Sequence, residues 1–422
     1  MKANFAAILA AGQGTRMNSS SPAALKRVCG RSLALWAIKA VSPCCEGKPV
    51  VVEGSGRELE AELGDLARYA VQETPSGTAH ALRLALGTAP EFRGLALVLY
   101  ANLPLIGTEC YQALVDAAAR DGAASLVYAD EETDCVKDAG VWCFQDWALQ
   151  KALEVCPGGA CVSELVDALL ATGVRVRELL VDARLCRAAY DRASLAACAR
   201  IIQARIVREH MKNGVTIRDP ESVQIGPDVI IGRDAELSPG VALTGKTEIG
   251  EGSLIKTGCV IHDTRVGKNC ELVYVVSNEA KIGDGVKIGP FVNLRPGSVL
   301  ADGCKVGDFV EVKNSNVGRG SKLPHLSYIG DADIGERVNV GCGVVFVNYD
   351  GYGKHRTRVG DGAFIGCQTN LVAPVSVGDD AYTAAGSTIT HDVPAGAMAF
   401  ARARQENKEG YVERFRALKN RE

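Results

Sequence analysis

The sequence has no Cys-x-x-Cys pair although it holds 15 cysteines; only Cys44 and Cys45 are adjacent, and the rest are scattered. That spacing excludes the paired-ligand signature of zinc ribbons and dithiol redox centres. In a chain of 422 residues the cysteines read as reduced, small hydrophobic side chains. Cys259, Cys270, Cys304, Cys342 and Cys367 sit among small apolar neighbours and fit that use. Histidine is scarce, at His80, His210, His262, His325, His355 and His391, with no local ligand spacing, so no metal site is expected. Neither sign of charge is in excess: 47 basic side chains face 50 acidic ones, for a net −3. This gives no electrostatic argument for nucleic acid or an anionic membrane. No apolar run approaches the roughly 20 residues that span a bilayer. The apolar start MKANFAAILAAGQG lacks a cleavage site and reads as a buried strand feeding a glycine turn, which makes a cytoplasmic location the expectation.

Two rhythms fill the chain instead. In residues 1–190, FAAILAA, PVVVEG, LALVLYA and ASLVYA read as buried strands, and SLALWAIKAV, TAHALRLAL and YQALVDAAAR as helices between them. Such alternation predicts an α/β domain around a parallel sheet. Ligands in these sheets bind beyond the carboxyl ends of the strands, where LAAGQG and LYANLPL fall. LAAGQGTRM is also a glycine-rich loop of the kind that wraps nucleotide phosphates. Residues 191–214 predict one linker helix, with apolar positions 195, 198, 201, 202 and 206, Asp191 as N-cap and Asn213-Gly214 as stop.

From 215 to 400 the period becomes six. Ile225, Ile231, Leu237, Leu243, Ile249, Ile255 and Ile261 recur at that spacing, with small or β-branched Val223, Val229, Ala235, Val241, Thr247, Ser253 and Cys259 two places before them. The phase shifts and resumes at Ile282, Ile288, Leu294, Leu300, Val306 and Val312, then again from Val359 to Ile389. One aliphatic per hexapeptide means a short face turning inward three times per coil, so that stacked coils bury a column no single repeat could bury. This predicts a left-handed parallel β-helix. The tail, 401–422, ends in a short basic helix that is either solvated or laid over a neighbouring subunit.

Three clusters interrupt the hexads: NLRPG with FVEVKN, LPHLSYIGD, and RVNVGCGVVFVNYDGYGKH, the last carrying an insertion. Loops on repeat scaffolds often build sites. Arg295, Lys313, Tyr328 and Lys354 suit a phosphate and sugar hydroxyls. His325 has the chemistry of a general base, and Glu311 is a candidate to hold its tautomer.

At this point the chain resembles a two-domain family, the bifunctional N-acetylglucosamine-1-phosphate uridyltransferase / glucosamine-1-phosphate N-acetyltransferases. The resemblance is carried by LAAGQGTRM, VQETPSGTAHAL, LRPGSVL, VGDFVEVKNS, HLSYIGDADIG, VNVGCG, NYDGYGKHRT, LVAPVSVG and AAGSTIT. It implies a nucleotidyltransferase-like (Rossmann-like) domain, a linker helix and a β-helix acetyltransferase domain, assembled as a homotrimer. It also implies acetyl transfer from acetyl-CoA to glucosamine 1-phosphate, supplying UDP-N-acetylglucosamine for the cell wall. His325 stands at the family's catalytic base with Glu311 in support. Arg295, Lys313, Tyr328, Asn339 and Lys354 match its sugar-phosphate ligands. Cys342, Asn348, Tyr349, Cys367, Ala385 and Arg402 match positions around acetyl-CoA. Cys342 replaces the usual alanine and Cys367 the usual serine, a weaker donor to an oxyanion.

In the N-terminal half Leu9, Ala10, Ala11, Gly12, Arg16, Gln72, Gly77 and Thr78 match nucleotide contacts, but the catalytic lysine aligns with Ala23. The magnesium-binding aspartate aligns with Asn102 and the completing asparagine with Tyr190. The region between SLVYADEETDCV and AGVWCF is short, and GGACVSELVDAL replaces a sugar-wall motif. These departures imply a vestigial uridyltransferase, with Mg2+ required only if that activity survives. Three other readings stay open: a fully bifunctional enzyme, an acetyltransferase acting on another sugar phosphate or amine, and a non-catalytic trimer that binds sugar nucleotides.

Overall fold

The computed structural model describes residues 1–74, 76–130, 133–156 and 159–420. Pro75 in VQETPSGTAHAL, Glu131 and Glu132 in SLVYADEETDCV, Gly158 in GGACVSELVDAL and the last two residues of the tail lie outside them. The chain forms two compact units, Met1–Ile206 and Val207–Glu422.

The first unit is built on seven strands: β1 (Phe5–Leu9), β2 (Val50–Gly54), β3 (Arg68–Gln72), β4 (Leu95–Tyr100), β5 (Ala123–Ala129), β6 (Val136–Gln145) and β7 (Val176–Leu180), in the order β3-β2-β1-β4-β6-β5-β7. β1 is buried on both faces. Ala6 and Ile8 pack with α1 (Leu33–Val41) and α4 (Thr108–Asp121), and Phe5, Ala7 and Leu9 with α3 (Thr78–Gly87), α5 (Asp146–Val155) and α6 (Val162–Ala171); α2 (Glu58–Leu63) lies between β2 and β3. A strand covered on both sides reads as a continuous apolar run, which is why FAAIL shows no alternation.

The sheet is mixed, which corrects the expectation of a parallel one: β6 runs antiparallel to both β4 and β5. The cause is local. Only residues 130–135 join β5 to β6, too few for a crossover and enough for a hairpin-like return. β3 and β7 sit at the sheet edges, partly exposed, so RYAVQ and VRELL carry no apolar run to announce them. A continuous α7 (Arg192–Lys212) follows. Asp191 Oδ1 accepts from Ser194 N at 2.7 Å and Ser194 Oγ from Asp191 N at 3.0 Å, a reciprocal cap.

The second unit is a left-handed parallel β-helix of three sheets with 11, 10 and 9 strands, each strand pairing with the third one on except at the end, where Tyr382–Thr383 pairs with Met398–Ala399, two strands on. Leu237 pairs with Ile255 and Leu243 with Ile261, so one coil spans three hexapeptides. The inward aliphatics, Leu237, Leu243, Ile255, Leu294, Val312 and Ile365 among them, are buried; each contributes about 1.5–3 kcal/mol by leaving water. The phase shift has a structural counterpart: Val260 pairs with Val276, a coil two residues short. Val347 pairs with Val372 and Ala332 with Thr357, each 25 residues on, which locates the insertion at 348–356.

Cys259, Cys270 and Cys304 are buried in this column, and burial pushes the Cys259 thiol up to about 11. Cys367 is exposed and Cys342 half-buried, which corrects their reading as core cysteines; all 15 are free. The tail helix, Tyr411–Lys419, is exposed along its length. Among the described residues no helix is long and apolar enough to cross a membrane.

Candidate functional site

The hexad rule itself builds a site on the β-helix. In the ten-stranded sheet Leu294, Val312 and Ile329 point inward, so residues on either side of them point out. Glu311 and Tyr328 are in register in one outward column, and Lys313 and Gly330 in the next, which Arg295 begins one coil earlier. The missing side chain at Gly330 makes a floor: a Cβ there would lie 2.5 Å from Tyr328 Oη and 2.7 Å from Asn348 Nδ2.

The insertion supplies the remaining cation. Asp350 Oδ1 accepts from the backbone N–H of Tyr352 and Gly353, its Oδ2 meets His355 Nε2 at 2.7 Å, and His355 N donates to Asn348 O at 2.8 Å. Arg356 closes the loop on Asp333 at 2.6 Å. Lys354 is thereby set beside Lys313; the direct side-chain contact of the two ammoniums, and then their like charge, pushes Lys354 below the usual lysine range. Two cations held together with Arg295 in one outward patch form a site for an anion with more than one charge.

Asp331 anchors the far side. Burial opposes its ionisation, but hydrogen bonds from Asn314 and Asn348, with Lys313 and Lys354 nearby, hold its carboxyl below the usual range. Asn348, expected beside acetyl-CoA, is buried in this network, its amide also 3.4 Å from Tyr328 Oη. Tyr349 is exposed and its hydroxyl donates to Gly351 O at 2.7 Å.

His325 ends the strand Lys322–His325, one corner before Tyr328. Its Nδ1 lies 2.7 Å from Asp308 Oδ1, the residue in register one coil below. Glu311 is not its partner. The Glu311 carboxylate takes Arg295 Nη1 at 2.8 Å and stands in register with Tyr328. This corrects the expectation for Glu311. Asp308 escaped sequence reading because VGDFVEVKN places it three residues from the more conspicuous glutamate; the 17-residue coil from Asp308 to His325 was the available signal.

Above His325 the same corner carries Cys342, Cys367 and Ala385, stacked through Gln368 N to Cys342 O at 2.7 Å and Gly386 N to Cys367 O at 2.8 Å. Arg402 lies against Gly386, its Cδ 3.7 Å from where a Cβ would sit. Asn339 is half-buried on the His325 sheet, in register with Lys322 and Phe364.

In the first unit a cavity of about 550 Å³ opens beyond β1 and β4. Leu9, Ala10, Ala11, Gly12, Arg16, Gln72, Gly77 and Thr78 all line it, together with Ala23, Asn102 and Tyr190. Gly14, at φ +62°, lets the loop close on Ala23, whose Cβ would be 2.5 Å from any Cβ at that position. Lys26 is drawn away, its ammonium on the Ser19 and Ser21 hydroxyls. No described residue lining the cavity carries a carboxylate. Hard divalent cations favour anionic oxygens; this lining offers Arg16 and the neutral Asn102, and carboxylates begin only in the adjoining hollow, where Glu53 and Glu58 lie with Ala10, Ala11 and Gly12.

Comparison with known proteins agrees with both units. Residues 6–205 match the MobA-like NTP transferase domain and residues 279–314 the bacterial transferase hexapeptide (six repeats). The chain is 40% identical to the bifunctional protein GlmU of Geobacillus sp. (strain WCH70), covering 100% of both chains. The chain belongs to the GlmU family. Other relatives of that name match over nearly the whole length: that of Caldanaerobacter subterraneus subsp. tengcongensis at 39% identity over 96% of this chain and 97% of its own, and that of Staphylococcus haemolyticus at 39% over 97% and 99%. The NTP transferase match runs through the residues that line the first unit's cavity, and the hexapeptide match takes in Arg295, Glu311 and Lys313 of the β-helix patch.

Proposed function

We propose that this member of the GlmU family transfers the acetyl group of acetyl-CoA to the amine of glucosamine 1-phosphate, as a cytoplasmic homotrimer feeding UDP-N-acetylglucosamine and cell-wall synthesis. The observation that carries this reading is the placing of His325 one corner from the outward face that holds Arg295, Lys313, Tyr328 and Lys354. The cations take the phosphate and so present the sugar amine to the imidazole, an orientation effect. His325 takes a proton from the C2 amine nitrogen as that nitrogen attacks, and the imidazolium so formed is the source of the proton that the leaving thiolate takes up. The nitrogen bonds to the acetyl carbonyl carbon, the C–S bond breaks, and the thiolate leaves as coenzyme A, taking a proton. No metal is needed for the step. Asn339 completes the sugar contacts; Cys342, Tyr349, Cys367, Ala385 and Arg402 flank the acetyl-CoA side.

In this reading the uridyltransferase of the first unit is vestigial: Ala23 stands for the lysine, and the cavity lining offers magnesium no carboxylate. A second reading, full bifunctionality, is favoured by identity to bifunctional relatives over the whole chain. Purified protein given acetyl-CoA and glucosamine 1-phosphate is expected to release free thiol, and His325→Ala to lose that release. Equal release from both proteins, or none from the wild type, overturns the reading. Pyrophosphate release from UTP and N-acetylglucosamine 1-phosphate with Mg2+ on the same sample decides between one activity and two.

A further inference from the structure

We infer that Asp308, rather than Glu311, is the positioning residue of His325: it holds the hydrogen of the neutral imidazole on Nδ1 and leaves Nε2 bare. The consequence for turnover rests on the acetyl-transfer reading above; the tautomer is a property of the resting protein.

The argument begins with hydrogen-bond inventory. A neutral imidazole has one donor and one acceptor nitrogen, and an ionised carboxylate can only accept. The hydrogen bond with His325, foremost, holds the Asp308 carboxyl below the usual range, so it is the acceptor. With Nδ1 2.7 Å from Asp308 Oδ1, Nδ1 must donate. Nε2 is then the lone-pair nitrogen, the form in which an imidazole accepts a proton.

The backbone holds both partners in place. Asp308 and His325 are paired in register on adjacent parallel strands. Leu326 N donates to Asp308 O at 2.9 Å, and Ser327 Oγ to His325 O at 2.8 Å. The contact therefore follows from the coil length and needs no long side chain to find it. Glu311 is unavailable for the same task, because it is paired with Arg295 and aligned with Tyr328. Nor does the Asp308–His325 pair have an obvious structural use: both side chains are about half exposed, and exposed ion pairs contribute little to stability. What the pair does determine is the ring's orientation and tautomer.

The test uses the full-length protein labelled with 15N in the histidine rings, His325 being assigned by comparison with His325→Gln. With its ring neutral, His325 is expected to show a protonated Nδ1 and a bare Nε2. Asp308→Ala returns the ring to the mixture rich in hydrogen on Nε2 that free imidazole prefers. Asp308→Asn, whose amide oxygen still accepts, keeps hydrogen on Nδ1, and Glu311→Gln leaves the tautomer unchanged. In thiol-release kinetics Asp308→Ala is expected to lower kcat on the order of 10- to 100-fold at unchanged KM, and Asp308→Asn to restore part of it. Hydrogen on Nε2 in the wild type overturns the assignment, as does an Asp308→Ala protein with unaltered tautomer, or a tautomer moved by Glu311→Gln. If the wild type shows the expected tautomer but releases no thiol, the acetyl-transfer reading fails and the hold of Asp308 on the ring stands.

Discussion

Arg295 and Glu311 form an ion pair across one coil of the β-helix, with Arg295 Nη1 2.8 Å from Glu311 Oε1. The pair turns a glutamate that looks like a base's helper into the residue that aims an anion-binding guanidinium. Glu311→Gln is therefore expected to raise the KM for glucosamine 1-phosphate about three- to tenfold, the loss of roughly one charge-assisted hydrogen bond, with kcat within about twofold. Steady-state thiol release checks this; a fall in kcat at constant KM would return Glu311 to the imidazole.

Gly330→Ala places a methyl carbon 2.5 Å from Tyr328 Oη and 2.7 Å from Asn348 Nδ2. Both side chains must move, so kcat/KM is expected to fall by roughly tenfold or more, since small misplacements of positioning groups are felt strongly. Kinetics and a thermal melt on the same preparation separate site damage from unfolding. Unchanged kcat/KM would show that the Tyr328–Asn348 floor does not receive substrate.

Cys367 is exposed in the corner column above His325. A hydroxyl is a better donor to a developing oxyanion than a thiol, so Cys367→Ser is expected to raise kcat by about two- to fivefold. A lower kcat in that variant would assign the thiol a use of its own.

Ala23 and Asn102 both line the cavity of the first unit. Ala23→Lys combined with Asn102→Asp adds a second cation beside Arg16 and the anionic oxygen that its lining lacks. Pyrophosphate release from UTP with Mg2+ is expected to increase at least tenfold over the wild type, and the single variants to gain less. A wild type already as active as the double variant would favour the bifunctional reading.

Alkaline stability tests the buried thiols. Burial raises the folded Cys259 thiol from 9.0 to about 11, so its contribution is complete below pH 9 and is lost as pH rises toward 11. Above pH 9 the unfolded chain releases the proton while the folded chain keeps it, a loss of about 1.4 kcal/mol per pH unit over that window. Urea midpoints at about pH 8 and about pH 10.5 are expected to separate less in Cys259→Ala than in wild type. An equal separation would remove Cys259 from the account.

The β-helix was legible because its period is a packing rule: one inward aliphatic per six residues states where each coil turns. The glycine loop and central strands of the first unit were legible for a similar reason, since a strand buried on both faces is apolar throughout. The antiparallel β6 was not, because direction depends on the length of a return. The edge strands β3 and β7 were not, because half-exposed edges need no apolar run.

Site residues divide the same way. Arg295, Lys313, Tyr328, His325 and Lys354 could be picked out by residue type in segments that break the hexads. Which of them touch could not. The sequence alone determined the repeat, the coil length and the cast of polar residues, because these follow from what must be buried and what cannot be. The tertiary structure decided the pairings: Asp308 with His325 and Glu311 with Arg295, because residues 17 or so apart meet only when coils stack. It also decided that Lys26 turns to Ser19 and Ser21, leaving Ala23 to face the cavity.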